Sequence, residues 1–290
     1  MSALGAVIVR GDLFDHGALL AGMRGCGTVF HVAGVNAMCV RDPRPMLRVN
    51  VDGAAAVVRA AAAANVARLV HTSSATTIGE EAGEIGREDT PHRGWFMSNY
   101  ERSKFLGERR VLALGDELGV PVVSVNPSSV QGPGRTGGSA TLLLDIVNGR
   151  LPVLVNTWLS VVDIDDCSAA LVLAELGGVP GRRYLVNGAS FDVRTAVRLL
   201  RHASGHPRHA WFVPRAFATA GGVVAGALGR ISGRDGPICP ETVRTLLHGH
   251  RFDGSLAEGD LGLGYTAVET TIERSLTWYA DQGLGPPPIR

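Results

Sequence analysis

Lysine is almost missing from this chain, and so is any surplus of charge. Of the 28 Lys and Arg residues only Lys104 is lysine, and against 27 acidic residues they leave a net charge of +1. That balance lays down no basic or acidic field, so neither nucleic acid nor a membrane surface is expected as a partner. Long apolar runs are lacking too. Ala216 to Leu228, the most apolar stretch, is interrupted by glycines and too short to cross a bilayer, and no secretory leader is expected. Cysteine is sparse. Cys26, Cys39, Cys167 and Cys239 show neither CxxC nor metal-ligand spacing and are expected as isolated thiols in a reducing compartment, which puts the protein in the cytoplasm. The histidines also lack metal spacing, so no metal is expected, and His248 and His250 are expected at the surface. No internal repeat is present, and the alanine run Ala60 to Ala64 reads as helix propensity.

What is present is enough apolar material, 45% of 290 residues, for a sizeable core in one or two domains. Ala6 to Val9 reads as a short buried strand and His16 to Arg24 as a helix. Thr28 to Gly34 reads as a second strand opening into a small-residue turn. An alanine-rich helix over Met46 to Asn65 precedes a third strand, Ala67 to Thr72, which runs into Ser73-Ser74-Ala75. A polar loop leads to a helix holding Tyr100 and Lys104. A fourth strand, Pro121 to Val125, ends at Asn126-Pro127, and Gln131 to Gly138 is a glycine-rich loop. A helix over Asp166 to Leu176 and a strand over Arg183 to Val186 follow. The remainder is expected to be mainly helical, broken near Gly229 to Gly236. Strands alternating with helices predict parallel βαβ units in a doubly wound α/β sheet, whose ligands sit beyond the carboxyl ends of the strands. Gly34, Ser74 and Asn126 all fall at such ends.

The single lysine lies in Asn99-Tyr100-Glu101-Arg102-Ser103-Lys104. Arginine stands wherever a generic cation would do, so position 104 needs what only an ammonium offers, a compact charge with rotatable donors. On a helix, Tyr100 and Lys104 share one face. A phenol is a poor acid or base at neutral pH, and a neighbouring cation brings its pKa toward a working value. Tyr-x-x-x-Lys alone is a weak pattern that surface pairs produce by chance. The lone lysine and its convergence with three strand ends make it specific.

On the stretches VIVRGDLFD, GCGTVFHVAG, RVNVDGAAAVVRAA, LVHTSSATTIG, NYERSKFLGE, VVSVNPSSVQGPG, LSVVDIDDCSAALVLA and GRRYLVNG, the chain resembles the extended short-chain dehydrogenase/reductase superfamily. The likeness is to its NAD-dependent epimerase/dehydratase branch, particularly dihydroflavonol-reductase-like proteins and hopanoid-associated sugar epimerases. The resemblance implies that Tyr100 exchanges a proton with the substrate oxygen, and that Lys104 lowers the pKa of Tyr100 and binds the nicotinamide ribose. It implies that Ser74, or alternatively Ser73, hydrogen-bonds the reacting oxygen. Asp12 and Leu13 would lie against the adenine of NAD or NADP, although Asp12 also suits a turn or cap. Val32, Ala33 and Gly34 would line the ribose and phosphates, and Pro127, Ser128 and Val130 the nicotinamide. Asn50 would brace the fold, His31 would sit in the core, and Trp158 would line either a pocket or the core.

The family pattern opens with a strand, a Gly-rich turn, a helix and a second strand, and this chain shows no such turn before Asp12. Gly22, Gly25 and Gly27 follow a helix, the wrong context. The fold expected is therefore a doubly wound parallel-sheet Rossmann-like domain lacking its first two strands (residues 1–134 and 161–200). A smaller, mainly helical substrate domain would follow (135–160 and 201–290). Either the reading frame starts late in a longer enzyme or the chain is a genuine short protein. The function expected is an NAD(P)-dependent ketone reductase or sugar epimerase, acting on a hydrophobic ketone or alcohol or on a nucleotide sugar. The competing expectation is a non-catalytic binding or regulatory protein reusing the fold. Helices flanking the sheet offer surfaces for a homodimer.

Overall fold

A computed structural model describes residues 5–205, 210–220 and 239–286. Four strands form a parallel sheet in the order β1 (Thr28–His31), β2 (Arg68–Thr72), β3 (Val122–Pro127) and β7 (Arg183–Val186). Alternation along the strands splits the core in two. On one face Leu69 and Val122 pack with Val58 and Val111, from helices α3 (Ala54–Ala63) and α4 (Asn99–Leu118). On the other, Val70 and Val123 pack with Ala170 and Ala257, from α6 (Ile164–Gly177) and α9 (Ser255–Leu261). Helices on both faces of a parallel sheet are the doubly wound arrangement. All four strand tips therefore open on one rim, where the residues after His31, Thr72, Pro127 and Val186 gather.

A second, smaller sheet joins β4 (Ser129–Gln131), β6 (Trp158–Asp163) and β8 (Ala189–Asp192), the last pair antiparallel. A two-stranded pair links β5 (Val153–Leu154) to β9 (Trp211–Phe212). A separate apolar cluster gathers Leu143, Val197, Leu200, Ile272, Leu276 and Tyr279. These come from α5 (Ala140–Val147), α7 (Val193–Ser204) and α10 (Val268–Asp281). The short strands β5, β6, β8 and β9 were not expected from the pattern, since two to six residues give periodicity little to work on. The Gly229 to Gly236 break lies outside the described residues.

Two expectations are corrected here. Ala6 to Val9 forms no strand: Val7, Ile8 and Val9 are 88%, 63% and 57% exposed. β1 is the edge of its sheet, and among the described residues no strand lies beyond it to receive the backbone bonds of Val7 to Val9. Nor are all four cysteines isolated. Cys39 and Cys239, 200 residues apart, form a disulfide, while Cys26 and Cys167 are free. Local spacing carries no trace of a pair that only the tertiary fold brings together. Among the described residues no helix is long and apolar enough to cross a membrane.

Candidate active site

The start of α4 is fixed before any chemistry begins. The Ser98 side chain caps it, accepting from the Glu101 N–H at 3.1 Å, and the Glu101 carboxylate accepts from the Met97 N–H at 2.8 Å. Buried Arg93 pairs with the same carboxylate. These contacts set the phase of the helix and turn Tyr100 and Lys104 toward the strand tips. Lys104 is 8% exposed, and its ammonium donates to the Thr72 carbonyl at the end of β2, at 2.8 Å.

The Ser74 side chain acts on the Tyr100 phenol. Ser74 also caps the 3₁₀ turn Ala75–Thr77, its hydroxyl accepting from the Thr76 N–H. Ser73, the alternative, has a buried hydroxyl with no partner. Burial pushes the Tyr100 phenol up, and the neighbouring Ser74 side chain and the charge of Arg135 pull it back. The expectation that Lys104 depresses this phenol is not met. The ammonium is turned to Thr72, and the cation acting on Tyr100 is Arg135, from the Gln131 to Gly138 loop. Burial lowers the pKa of Lys104 itself to about 8, against the pull of the Glu108 carboxylate one helical turn further on.

Asn50 braces the fold, as expected. Its carboxamide accepts from the Val35 N–H (2.7 Å) and donates to the Val35 carbonyl (2.9 Å) and the Ser103 hydroxyl (2.8 Å). It sits in a π-helical turn, Arg48–Gly53, that leads into α3. Gly34 lies against this brace, where a Cβ would come within 3.2 Å of the Asn50 oxygen and 3.8 Å of the Lys104 nitrogen. The position thus keeps space beside the ammonium. Val32, Ala33 and Gly34 are exposed along the rim.

A buried polar network behind these residues was missed in the sequence. The Glu108 carboxylate accepts from Thr77 (3.2 Å), Ser124 (3.3 Å), Arg183 (3.3 Å) and Asn126. The Asn126 amide also reaches the Ser74 carbonyl at 3.3 Å, which ties the serine turn to the sheet. Glu108 stands four residues after Lys104, so helical spacing was the signal that pointed to it. Arg135 left no such signal.

The remaining expected residues are less gathered. Asp12 is exposed and caps its own turn by accepting from the Phe14 N–H at 2.8 Å, and Leu13 packs on Gly53 of the adjoining helix. Pro127 is buried at the tip of β3, Ser128 bonds to the Val186 carbonyl through its N–H, and Val130 packs into the core beside α6. His31 is buried and stacks on His71 at 5.3 Å, its pKa lowered to about 4 by burial and by Lys104. Trp158 is 40% exposed under the Arg251 guanidinium, not in the core. His248 and His250 are not surface residues and do have partners at metal-ligand distance. Their side chains are 6% and 14% exposed and both meet the Glu80 carboxylate.

With respect to a dinucleotide the site has two unequal halves. A buried ammonium with donors to spare, a side-chain-free position beside it and a serine–tyrosine pair fit a nicotinamide riboside. The N-terminus of α1 (His16–Met23) does not fit a pyrophosphate, because the Asp15 carboxylate already accepts from the Ala18 N–H there.

A profile of the NAD-dependent epimerase/dehydratase family matches residues 2–186. The chain is 28% identical to sterol demethylase protein B of Methylococcus capsulatus, over 94% of this chain and 85% of that protein. It is also 28% identical to a putative dihydroflavonol 4-reductase of Synechocystis, over 95% and 82%. The fold superposes on a nucleoside-diphosphate-sugar epimerase from Pseudomonas aeruginosa with a TM-score of 0.77 at 23% identity, covering 95% of this chain and 83% of the other. The match over residues 2–186, reaching from the turn at Asp12 through the Tyr100–Lys104 helix to β7, shows that this chain belongs to the NAD-dependent epimerase/dehydratase family.

Proposed function

We propose that the protein is an NAD(P)-dependent oxidoreductase acting at a carbinol or ketone carbon, with Tyr100 as its acid and base. The observation that carries this reading is the buried, solitary Lys104, held on the Thr72 carbonyl one helical turn from Tyr100, whose phenol feels the Ser74 side chain. Bound NAD or NADP would supply the hydride donor or acceptor. Ser74 would hydrogen-bond the substrate oxygen and orient it toward Tyr100. Tyr100 would give that oxygen a proton as a ketone is reduced, or take one as an alcohol is oxidised. Lys104, held on Thr72, has two further N–H donors for ribose hydroxyls, and Gly34 leaves them room. Asn50 and Glu108 hold these groups in place without touching substrate.

Relatives named as reductases and epimerases support two forms of this reaction. A reductase ends after one transfer and consumes NAD(P)H with a hydrophobic ketone, whereas an epimerase isomerises a nucleotide sugar with no net cofactor change. Following NAD(P)H absorbance beside product analysis separates them. Tyr100→Phe should abolish either reaction by on the order of 100-fold or more while leaving the melting temperature within a few degrees. Unaltered turnover in that variant would end the reading. The second reading, a binding protein without catalysis, draws on the anionic N-terminus of α1. It expects calorimetric titration with NAD(P)H to show weak or no binding and no substrate to be turned over. Tight, stoichiometric cofactor binding with Tyr100-dependent turnover would exclude it.

A further inference from the structure

Glu80, His248 and His250 form a cluster that the proposed reaction does not use. Glu80 lies in the loop after the 3₁₀ turn Ala75–Thr77. The histidines flank Gly249 at the end of α8 (Pro240–His248), far off in sequence. Gly249 has φ +72°, and a Cβ there would come within 2.3 Å of the Thr157 hydroxyl, so the chain reverses tightly and turns both imidazoles to one side. One carboxylate oxygen of Glu80 lies 2.6 Å from His250 Nδ1 and 3.3 Å from His248 Nε2. One donor atom from each of the three falls within 4.8 Å of the others. The Glu80 side chain is 1% exposed and that of His248 6%, yet Glu80 Oε2 and His250 Nε2 have no hydrogen-bond partner, and His248 Nε2 has only the 3.3 Å approach of Glu80. Buried polar atoms left unpaired are costly, and a ligand that takes them removes that cost.

We propose that Glu80, His248 and His250 bind one divalent transition-metal cation of the zinc class. Two imidazoles and a carboxylate suit zinc or cobalt and not magnesium, which prefers oxygen donors and its own water shell. Three protein donors leave at least one position for water. The cation clasps the segment after α8 onto the loop after β2, beside two contacts that already join them. These are the Gly86–Phe252 backbone bridge and the Gly86 N–H donating to the Arg251 carbonyl at 2.8 Å. The charged neighbour is Arg93, which donates to the Glu80 carbonyl at 3.2 Å, and Glu101 balances it.

The test uses the full chain without a histidine tag, stripped with a chelator and titrated with zinc by calorimetry and with cobalt by visible absorption. One equivalent of zinc should bind and raise the melting temperature, cobalt should give ligand-field bands, and magnesium should do neither. Glu80→Gln, His248→Gln and His250→Ala should each weaken binding by on the order of 100-fold or more and abolish the melting shift. Glu80→Gln keeps the side-chain shape, so it decides the matter if a histidine variant does not fold. The cobalt bands should survive in a Cys26→Ser background, since Cys26 is an exposed thiol. Absence of stoichiometric binding, or binding that these three substitutions leave unchanged, would overturn the proposal and leave a plain hydrogen-bonded Glu–His cluster.

Discussion

Lys104 is buried with its charge, and that has a cost whose sign can be worked out. Its pKa is about 8 in the folded chain and 10.5 in an ordinary setting, the fall being due to burial. Between those values the unfolded chain holds a proton that the folded chain has released. Stability therefore rises with pH across that window, by up to about 1.4 kcal/mol per pH unit for this one group. Denaturant midpoints of wild type and Lys104→Met, compared from pH 8 to 10.5, should diverge with that slope. Parallel curves would mean that Lys104 is not buried as described. Under the proposed role of Lys104 in holding ribose hydroxyls, the opposite trend is expected for activity, because the ammonium is lost as the pH passes about 8. The Glu108 carboxylate raises the pKa of Lys104, so Glu108→Gln should move the alkaline fall in kcat/KM to lower pH. A merely structural Glu108 would lower the yield of folded protein and leave the position of that limb alone.

At the scale of elements, α4 approaches the π-helical turn Arg48–Gly53 closely because Gly107 has no side chain. A Cβ at position 107 would lie 2.2 Å from the Asn50 carbonyl oxygen, a backbone atom that cannot swing aside. Gly107→Ala should cost about 1–3 kcal/mol in chemical denaturation, and loss of turnover should accompany it because Asn50 is pushed off Ser103. Gly259, in α9, is the control: nothing lies within 4 Å of its Cβ position and its φ is ordinary. Gly259→Ala should stabilise by about 0.5–1 kcal/mol with activity unchanged. The same contrast explains what the sequence disclosed. The α4 helix and the Tyr100–Lys104 face were legible because spacing on one helix is local. The Asn126–Glu108–Thr77 network was not, because its members come from a strand, a helix and a turn that only the fold brings together. The strand expected at Ala6 to Val9 failed for a related reason: four apolar residues make a strand only where a neighbouring backbone receives their hydrogen bonds.

In the whole molecule, the C-terminal part is fastened over the start of α4, the Tyr100–Lys104 helix. The Asn99 N–H and side chain both donate to the Glu241 carboxylate, at 3.1 and 2.6 Å. Arg244 donates to the Met97 carbonyl at 3.1 and 3.0 Å. Both charged residues lie on α8, and the Cys39–Cys239 disulfide anchors that helix just before its first turn. Asn99 is adjacent to Tyr100, so whatever loosens α8 loosens the residue that sets the phenol's position. A cross-link spanning 200 residues removes a large loop-closure entropy from the unfolded chain, which general experience puts at ~2–4 kcal/mol of stability. Cys39→Ser and Cys239→Ser should each lower stability by about that amount, and a thiol reductant should lower the wild type to the same level without affecting either variant further. Free Cys26 and Cys167 provide the internal control, since their serine variants should still respond to the reductant. If the disulfide also positions Asn99, the two variants should lose kcat more than they gain KM, because Tyr100, the proposed acid–base group, is displaced while the open rim at Val32 to Gly34 is not. Equal stability of oxidised and reduced wild type would show that Glu241 and Arg244 hold α8 unaided, and the catalytic loss should then vanish with it.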